Sequence, residues 1–445
     1  MSIYDKASLV QIPSGYKGGT LYSVVPNDAD GDFTYSGGTN GTRVNKDGLI
    51  ETIAADTPRL NYPLLNGVVQ SNPTLLLEPQ RINIYTYSED LSQGTTLTNT
   101  SVDETSIVSP DGALTGNKLT QTSGAYLRKN LSVILSGTYA WSFFAKKGDL
   151  RYLNARSLFV LNGTTPANGN TIIDLDTNTI AYKGTNVTSA TIEQYPNDWI
   201  KVEIVATDNA TGSGDFVDFF FTDSDTSTQS TGVAGNGYIW GVQFESGIYP
   251  TSYIKTQGEV NGVTRGEDDC IDAQTDFNDA EGVLYVNAKI NDPDDADDND
   301  FSLGDGSFVS NSVEIAFRNP LGLVQTIVGK CAIDGSTLSL TNTTITDQSI
   351  KHDLFHKVAY QYKQADFKMF VNGFKIGTST YNDIFASGVL SRVSFEGNGT
   401  SSTKFRGETK ELMTFNSAMT DIELETLTSY RSFNSMAKEL LFTIE

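Results

Sequence analysis

The sequence predicts an all-β protein: an N-terminal irregular β segment, two tandem antiparallel β-sandwich domains and a short C-terminal helix. Eight Asn-Gly and five Asp-Gly pairs are spread along the 445 residues, and these dipeptides tolerate the positive φ of two-residue hairpin turns. The segments between them alternate apolar and polar residues, as strands with one buried face do. With 23 Phe, 20 Tyr and only 19% charged residues, the composition favours strands and turns over helices.

The net charge of −23 argues against nucleic acid as a partner, because binding the phosphate backbone needs clustered Lys and Arg. It also argues against docking on anionic lipid. The charge is consistent with solubility and with repulsion between copies, and divalent-ion binding is the alternative. No apolar run approaches the ~20 residues that span a bilayer, and the N-terminus lacks the features of a signal peptide. We therefore expect synthesis in a host cytoplasm and no membrane insertion.

Residues 1–82 form the first predicted block. Its strand-sized pieces are short, polar and separated by Gly and Asp, too small to build a large core of their own. The block therefore needs a partner surface, either the rest of the chain or another protein. It ends in the stretch 73–90 (PTLLLEPQRINIYTYSED), where Pro79 lacks an N–H and favours extended geometry before it. This stretch is predicted to be an extended connector with a strand at each end.

Residues 83–255 form the second predicted domain and contain all three tryptophans. Period-2 alternation predicts strands around each of them. Trp141 lies on an inward face, and Trp240 is predicted to share an inward face with Val242 and Phe244. Both are therefore expected in the core.

Trp199 is the candidate glycan-binding residue. The apolar residues that follow it alternate from Ile200 onward, so strict alternation points Trp199 outward, beside Lys201 and Glu203. An exposed indole can stack on a sugar ring. The alternative is a tryptophan at a strand start that folds over the sheet edge.

Residues 256–280 are polar and acidic and are predicted to be a linker or a loose pair of strands. Residues 281–432 form the second predicted sandwich. Its short helix starts at Thr420, where the sequence TDIE is a capping box. Residues 433–445 are a short apolar tail.

The densest acidic run, NDPDDADDND at residues 291–300, is the candidate metal site. Oxygen-rich loops suit Ca²⁺, so calcium is the one cofactor considered. The run lacks the ordered spacing and central Gly of a calcium hand, and a solvated loop tip is the alternative. The candidate ligands are five of the six aspartates of this run: Asp292, Asp294, Asp295, Asp297 and Asp298.

The chain is predicted not to be an enzyme. His352 and His356 are its only histidines, and on a strand two residues four apart lie about 13 Å from each other, too far to share one ion. With so few histidines, the sequence argues against a Ser-His-Asp or Cys-His nucleophile system. Glycoside cleavage needs only two carboxylates, but no pair stands out among the 54 acidic residues.

The first block resembles the N-terminal module of many bacteriophage virion proteins. In those proteins a motif close to R-x-N-x-x-G-L-I-E is followed by P-R-x-D/N-Y and then by L-L-L-E-P-x-R-T-N. One departure is Ile82, where the family usually has Thr. The matching residues are Arg43, Asn45, Gly48, Leu49, Ile50 and Glu51, then Pro58, Arg59, Asn61 and Tyr62, then Leu75 to Pro79, Arg81 and Asn83.

The two later blocks resemble sandwich families. The succession YAWSFFAKKGD, DWIKVEI and YIWGVQFESGIYPTSYI is similar to jelly-roll domains of the carbohydrate-binding-module type. The succession FHKVAYQY, FKMFVNGFKIG and a late strand that runs into the TDIE helix resembles laminin-G and concanavalin-A-like domains.

Together these resemblances imply a structural component of a bacteriophage virion, a tail or head fibre or appendage that adheres to host surface polysaccharide. Residues 1–82 would contact other virion proteins, and the assembly would be a homotrimer. Two alternatives stay open: a purely structural decoration protein of the tail or capsid, and a surface glycan hydrolase. Truncation just before residue 83 is expected to leave domains that fold but no longer join the virion.

Overall fold

The computed structural model describes residues 3–131, 137–157, 166–208, 216–291, 299–318, 326–341, 354–397 and 403–430. Within these residues the protein is all-β, with several sheets and one short α-helix near the C-terminus, as the sequence predicts. No helix in this part of the chain is long and apolar enough to cross a membrane.

The strands of the N-terminal region are short and follow a 3₁₀ turn at Ile3–Lys6. They are β1 (Ala7–Gln11), β2 (Tyr16–Lys17), β3 (Thr20–Leu21), β4 (Phe33–Ser36), β5 (Gly41–Val44), β6 (Ile50–Ile53), β7 (Leu60–Asn61), β8 (Leu64–Leu65), β9 (Val68–Val69), β10 (Thr74–Leu77) and β11 (Arg81–Asn83).

The strands of the middle region are longer, and a 3₁₀ turn at Pro166–Gly169 interrupts them. They are β12 (Thr96–Ile107), β13 (Gly116–Asn130), β14 (Gly137–Lys147), β15 (Tyr152–Ser157), β16 (Asn170–Asp174), β17 (Thr179–Lys183), β18 (Val187–Gln194), β19 (Ile200–Asp208), β20 (Phe216–Thr222) and β21 (Gly235–Ser246).

Two short strands lead into the C-terminal region. The remaining elements are β22 (Val263–Arg265), β23 (Asp269–Ile271), β24 (Glu281–Ile290), β25 (Asn299–Gly304), β26 (Ser312–Arg318), β27 (Thr326–Ile333), β28 (Ser336–Thr341), β29 (His356–Lys363), β30 (Phe367–Val371), β31 (Phe374–Ser379), β32 (Arg392–Ser394), β33 (Gly407–Phe415) and α1 (Asp421–Thr428).

The middle region is a sandwich whose two layers share the long strand β13. One edge of β13 pairs with β21 through residues 117–121 and with β20 through residues 127–130, while β12 pairs along its other edge. The chain of pairing runs β17-β16-β15-β20-β13-β21-β14-β19-β18. Trp141 and Phe143 lie 5.0 Å and 4.8 Å from the ring of Phe219. Because β14 and β20 are not neighbours in the sheet, these contacts cross between the two layers.

Strand β21 departs from strict alternation at Gly241. Val242 and Phe244 enter the sandwich core, but Trp240 packs on the opposite side with Phe144 and Tyr253. Gly241 has φ +62° and the pairing register shifts there, which marks a β-bulge. Trp240 is buried as predicted, but its predicted face was wrong because the bulge reverses the alternation.

The C-terminal region is a second sandwich. One sheet has the order β31-β30-β29-β24-β33-β10-β7, with β1 also pairing β33, and the facing sheet has the order β28-β27-β26-β25-β32. Helix α1 covers the outer face of the first sheet with Leu424 and Leu427. It begins with the predicted capping box: the Glu423 amide donates to Thr420 Oγ1 at 3.3 Å, and the Thr420 amide donates to the Glu423 carboxylate at 2.9 Å.

The N-terminal region is built into both sandwiches and is not a separate module. Strands β1, β7 and β10 extend the C-terminal sheet, and their leucines Leu9, Leu60 and Leu75 enter its core. The β5–β6 hairpin packs against the middle sandwich through Val44 and Ile50. The two sandwiches of its own chain therefore supply a partner surface for this block.

Residues 256–280 contact both the N-terminal region and the C-terminal sandwich. Strand β22 pairs with β11, and β23 pairs with β4, so both short strands pair with strands of the N-terminal region and not with each other. Cys270 and Ala273 belong to the C-terminal core. The predicted tail at 433–445 lies outside the described residues.

Candidate functional site

Trp199 is not available to a sugar, which corrects the sequence-based prediction. Its side chain is only 1% exposed, and its Nε1–H donates to the carbonyl oxygen of Val108 at 3.0 Å. Ile200 does face the sandwich core and Trp199 does lie on the other side of the strand. That outer side, however, is covered by Val44 and Ile50 of the β5–β6 hairpin. Alternation gives the face of a side chain but not what lies beyond it.

The other residues that the sequence analysis considered as sites are the candidate calcium ligands and the two histidines. The candidate calcium ligands Asp292, Asp294, Asp295, Asp297 and Asp298 lie outside the described residues, and so does His352. His356 is fully buried at the start of β29, and its Nδ1 lies 2.9 Å from the Asn372 side-chain amide. No group of His, Cys, Asp or Glu within the described ranges is arranged to hold a metal ion.

An open cavity of about 280 Å³ lies at one end of the middle sandwich. It forms where the chain after β11, the end of β13 and the loop before β22 meet. None of these segments is near the others in sequence. Its wall includes Ile84, Thr86, Tyr87, Lys129, Asn130 and Val260.

The cavity wall is held by backbone geometry. The Gly258 amide donates to the Thr86 carbonyl at 2.6 Å, which fixes the loop against the segment after β11. Gly258 has φ +114°, and a Cβ there would lie 2.8 Å from the Tyr87 hydroxyl. Only glycine therefore allows the loop to approach the Tyr87 ring so closely.

Lys129 contributes a buried ammonium group to this wall. Leu127, two residues earlier on β13, enters the sandwich core, and the same alternation turns Lys129 inward at the open end. Its Nζ donates to Thr86 Oγ1 at 2.6 Å and to the Gly94 carbonyl at 3.0 Å. An ammonium has three N–H donors, so one donor has no hydrogen-bond acceptor among the described residues; the Nζ also lies 5.5 Å from the centroid of the Tyr85 ring.

The Lys129 ammonium has no counter-charge among the described residues. Its hydrogen-bond acceptors are a hydroxyl and a carbonyl, and no carboxylate in this part of the chain forms an ion pair with it. Burial lowers the pKa of Lys129, as expected for a cation that has lost water without gaining an anion. The side chain is 7% exposed. A buried lysine without a paired anion is uncommon in proteins.

The rest of the cavity wall is amphipathic. Val260 is 79% exposed, and Ile84 and Tyr87 are partly exposed beside it. Asn130 is exposed at the end of β13 and presents an amide. An apolar wall with a few placed polar groups is the usual character of a small-ligand site.

A second cluster of polar side chains on the same sandwich is hydrogen-bonded internally and covered by a loop, so it does not form a binding site. Arg128 makes two hydrogen bonds to Asp218, at 2.8 Å and 2.9 Å, and Arg156 also binds this carboxylate. Both amide atoms of Asn154 are buried without a partner. The Asn170 amide donates to loop carbonyls at Ser227 and Gln229, so the described loop lies over this face.

A third polar cluster lies where all three regions meet, and we call it the junction cluster: Arg59, Glu78, Arg265 and Asp268. Its arginines and acids are only 2% and 4% exposed. Arg59 Nη1 lies 2.7 Å from Glu78 Oε2, and Arg59 Nη2 donates to Asp268. Arg265 lies 3.7 Å from Glu78 and 3.6 Å from Asp268. Two cations and two anions thus balance each other in the interior.

The junction cluster joins distant parts of the chain. Glu78 also accepts hydrogen bonds from the amide and the hydroxyl of Ser252, at 2.8 Å and 2.7 Å. Burial alone would raise the pKa of Glu78, but Arg265 and Arg59 bring its pKa down to about 2. Arg59 and Glu78 belong to the quoted N-terminal motifs, so these motif residues have an internal structural task. The sequence offered no signal for Arg265 and Asp268, which lie in the predicted linker.

No protein-family model and no curated protein matches this chain. Among solved structures, the carbohydrate-binding module CBM40 of the Ruminococcus gnavus IT-sialidase, bound to α2,3-sialyllactose, is 15% identical, with 36% of this chain and 94% of that chain covered and a TM-score of 0.29. The enzymatically active domain of bacteriophage CBA120 tailspike protein 2 is 16% identical, with 38% and 28% covered and a TM-score of 0.30. Domains LG4–5 of the mouse laminin α1 chain are 8% identical, with 66% and 88% covered and a TM-score of 0.24.

Similarities this low support no inference about activity or ligand. What the described residues do contain is an open, amphipathic cavity at the end of the middle sandwich, with a buried and unneutralised ammonium in its wall. This cavity is the candidate functional site.

Proposed function

We propose that the protein is a carbohydrate-binding component of a bacteriophage virion, a tail or head fibre or appendage that adheres to host surface glycans. The observation that carries the binding function is the cavity beside Lys129. Its apolar wall at Val260 and Tyr87 suits the C–H face of a sugar ring, while the Asn130 amide and the free Lys129 donor suit hydroxyl or charged groups.

The virion setting is supported by the N-terminal motifs of residues 43–83, which resemble those of phage virion proteins. Adhesion would gain from several copies held close together, because linked weak sites multiply in apparent affinity. A homotrimer in which residues 1–82 contact other virion proteins remains part of the proposal. Because those residues pair with and pack against both sandwiches, such a contact would use their solvent-exposed side chains.

A glycan array with the fluorescently labelled full chain tests the binding function. We expect binding to a restricted set of oligosaccharides, weakened at least about tenfold in Val260→Asp. Val260 is 79% exposed, so this change leaves the fold intact. Val309 is 62% exposed in the C-terminal sandwich, and Val309→Asp is the matched control that should bind as wild type does.

Binding to no oligosaccharide, together with failed particle assembly when the protein is removed, would favour the purely structural alternative. Release of reducing sugar from host polysaccharide would favour the hydrolase alternative and overturn the proposal. Gold-labelled antibody against the protein should decorate the tail or capsid in electron micrographs of intact particles. Unlabelled particles would contradict the virion setting.

A further inference from the structure

We infer that the cavity selects sugars that carry a carboxylate, and that the Lys129 ammonium pairs with that carboxylate. The inference rests on the proposed binding function and adds to it the chemical class of the ligand. It starts from the imbalance described above: a buried cation with one free donor and no acidic partner within the described chain.

Several other buried cations among the described residues pair with a carboxylate. The junction cluster sets two arginines against two carboxylates. Arg128 and Arg156 share Asp218, and Lys289 pairs with Glu408 at 2.8 Å. Lys129 has no such carboxylate partner among the described residues, and it lines an open cavity.

A carboxylate from a ligand would complete the Lys129 environment. Charge-assisted hydrogen bonds are stronger than neutral ones and gain further where water is excluded. The acid nearest in sequence on the cavity loop, Glu259, accepts a hydrogen bond from the Gln257 amide at 2.6 Å and forms no ion pair with Lys129 among the described residues. The ammonium remains for an incoming anion.

The net negative charge of the protein means that a preference for acidic sugars depends on the pairing of Lys129 with the ligand carboxylate. At a net charge of −23, the protein as a whole repels anions. General electrostatic attraction therefore cannot explain a preference for acidic sugars, and any such preference must come from a local cation.

The test uses an array of matched pairs: uronate-bearing oligosaccharides and the same oligosaccharides with the carboxyl reduced to an alcohol. We expect the wild-type full chain to prefer the acidic member, and Lys129→Gln to reduce that preference by on the order of tenfold to a hundredfold. Binding of the reduced member should change little. A purely structural role of Lys129 would weaken both members alike.

Asn130→Asp provides a variant that does not disturb the Lys129 hydrogen bonds. Asn130 is exposed at the cavity, so the added negative charge should remove the acidic preference while the thermal unfolding temperature is kept. Val309→Asp adds the same charge on the C-terminal sandwich, where Val309 is 62% exposed; it is the control and should retain the preference.

The outcomes separate the two claims. Preference for the reduced, neutral members by the wild type would overturn the inference and leave the proposed function standing. Binding to neither member of any pair, nor to other glycans, would overturn the proposed function itself. An acidic preference that survives in both Lys129→Gln and Asn130→Asp would place the recognised carboxylate elsewhere and also overturn the inference.

Discussion

Glu78 shows how one motif residue can connect three regions of a chain. It lies just after β10, between Arg59 from the N-terminal region and Arg265 from the segment before β23, and it accepts from Ser252 after β21. A carboxylate buried this completely is tolerated only because its neighbours satisfy it.

Replacing Glu78 by Gln should therefore destabilise the protein strongly. Two buried guanidinium groups lose part of their counter-charge, and removing one partner of a buried pair costs about 3–5 kcal/mol. Equilibrium unfolding in urea measures the loss. Glu51→Gln is the control, because Glu51 pairs with Arg43 but is 43% exposed, and it should cost less than about 1 kcal/mol. Equal effects of the two changes would contradict the role given to Glu78.

The same residue predicts a pH dependence. The pKa of Glu78 is about 2 in the folded protein, below its ordinary value of 4.5. Because the folded pKa is depressed, the stability from Glu78 is complete above pH 4.5 and is lost as the pH falls from 4.5 towards 2. The difference in unfolding free energy between wild type and Glu78→Gln should therefore shrink across this interval. Urea titrations at about pH 7 and about pH 3 measure it, and a constant difference would be inconsistent with this mechanism.

Trp199 is now expected to matter for stability and not for sugar binding. Trp199→Ala removes a buried indole that contacts the β5–β6 hairpin and should cost about 3–5 kcal/mol, measured by thermal or urea unfolding. Glycan binding by the folded fraction should stay at the wild-type level. Unchanged stability with lost binding would restore Trp199 as a sugar-stacking residue.

At the scale of elements, the main lesson concerns the strands before residue 83. Truncation there, suggested by the sequence as a clean cut, would remove β1, β7 and β10 from the sheet that contains β33. It would also take Leu9, Leu75 and Leu77 out of the C-terminal core. The truncation would therefore expose an edge of the C-terminal sheet and remove side chains from the C-terminal core.

We expect the fragment 83–445 to unfold at a lower urea concentration than the full chain and to bind the dye ANS, which reports exposed apolar surface. The fragment 83–257 should behave differently, because the core of the middle sandwich begins at Ile84 and Tyr85 and uses no residue before position 83. It should fold, with tryptophan emission shifted to the red as Trp199 and Trp240 lose their cover. A fragment 83–445 as stable as the full chain would contradict this account.

At the scale of the whole molecule, the parts are coupled through shared cores. Cys270 on β23 and Cys331 on β27 are both free and buried and belong to one core cluster. Burial is the main factor that raises the pKa of both thiols. A thiol reacts as the thiolate and only when it is accessible. The reactivity of Cys270 therefore measures exposure of β23, and that of Cys331 measures exposure of β27.

In the native protein neither thiol should react with Ellman's reagent (DTNB). As urea is raised, both should become reactive over the same concentration range, because β4, β23 and the C-terminal sheets form one cooperative unit. Mass spectrometry of the labelled peptides assigns each thiol. The single substitutions Cys270→Ser and Cys331→Ser, read in the same way, confirm the assignment. Reaction of one thiol well before the other would show that the segment around β23 opens on its own.

Local patterns were enough to predict much of this protein. Period-2 alternation and Asn-Gly turns identified the all-β class, alternation placed Trp141 in a core, and the TDIE motif marked the start of α1. Each of these depends on residues within a few positions of one another, where strand periodicity and capping chemistry act directly.

Only the tertiary structure shows which residues far apart in the sequence come into contact. The hairpin that covers Trp199, the bulge at Gly241 that reverses the face of Trp240, and the pairing of Glu78 with Arg265 depend on how distant segments pack. The cavity beside Lys129 likewise joins three segments that the sequence gives no reason to connect. Alternation specifies the side of a strand on which a residue lies, but tertiary packing determines whether that side meets water, another strand or a ligand.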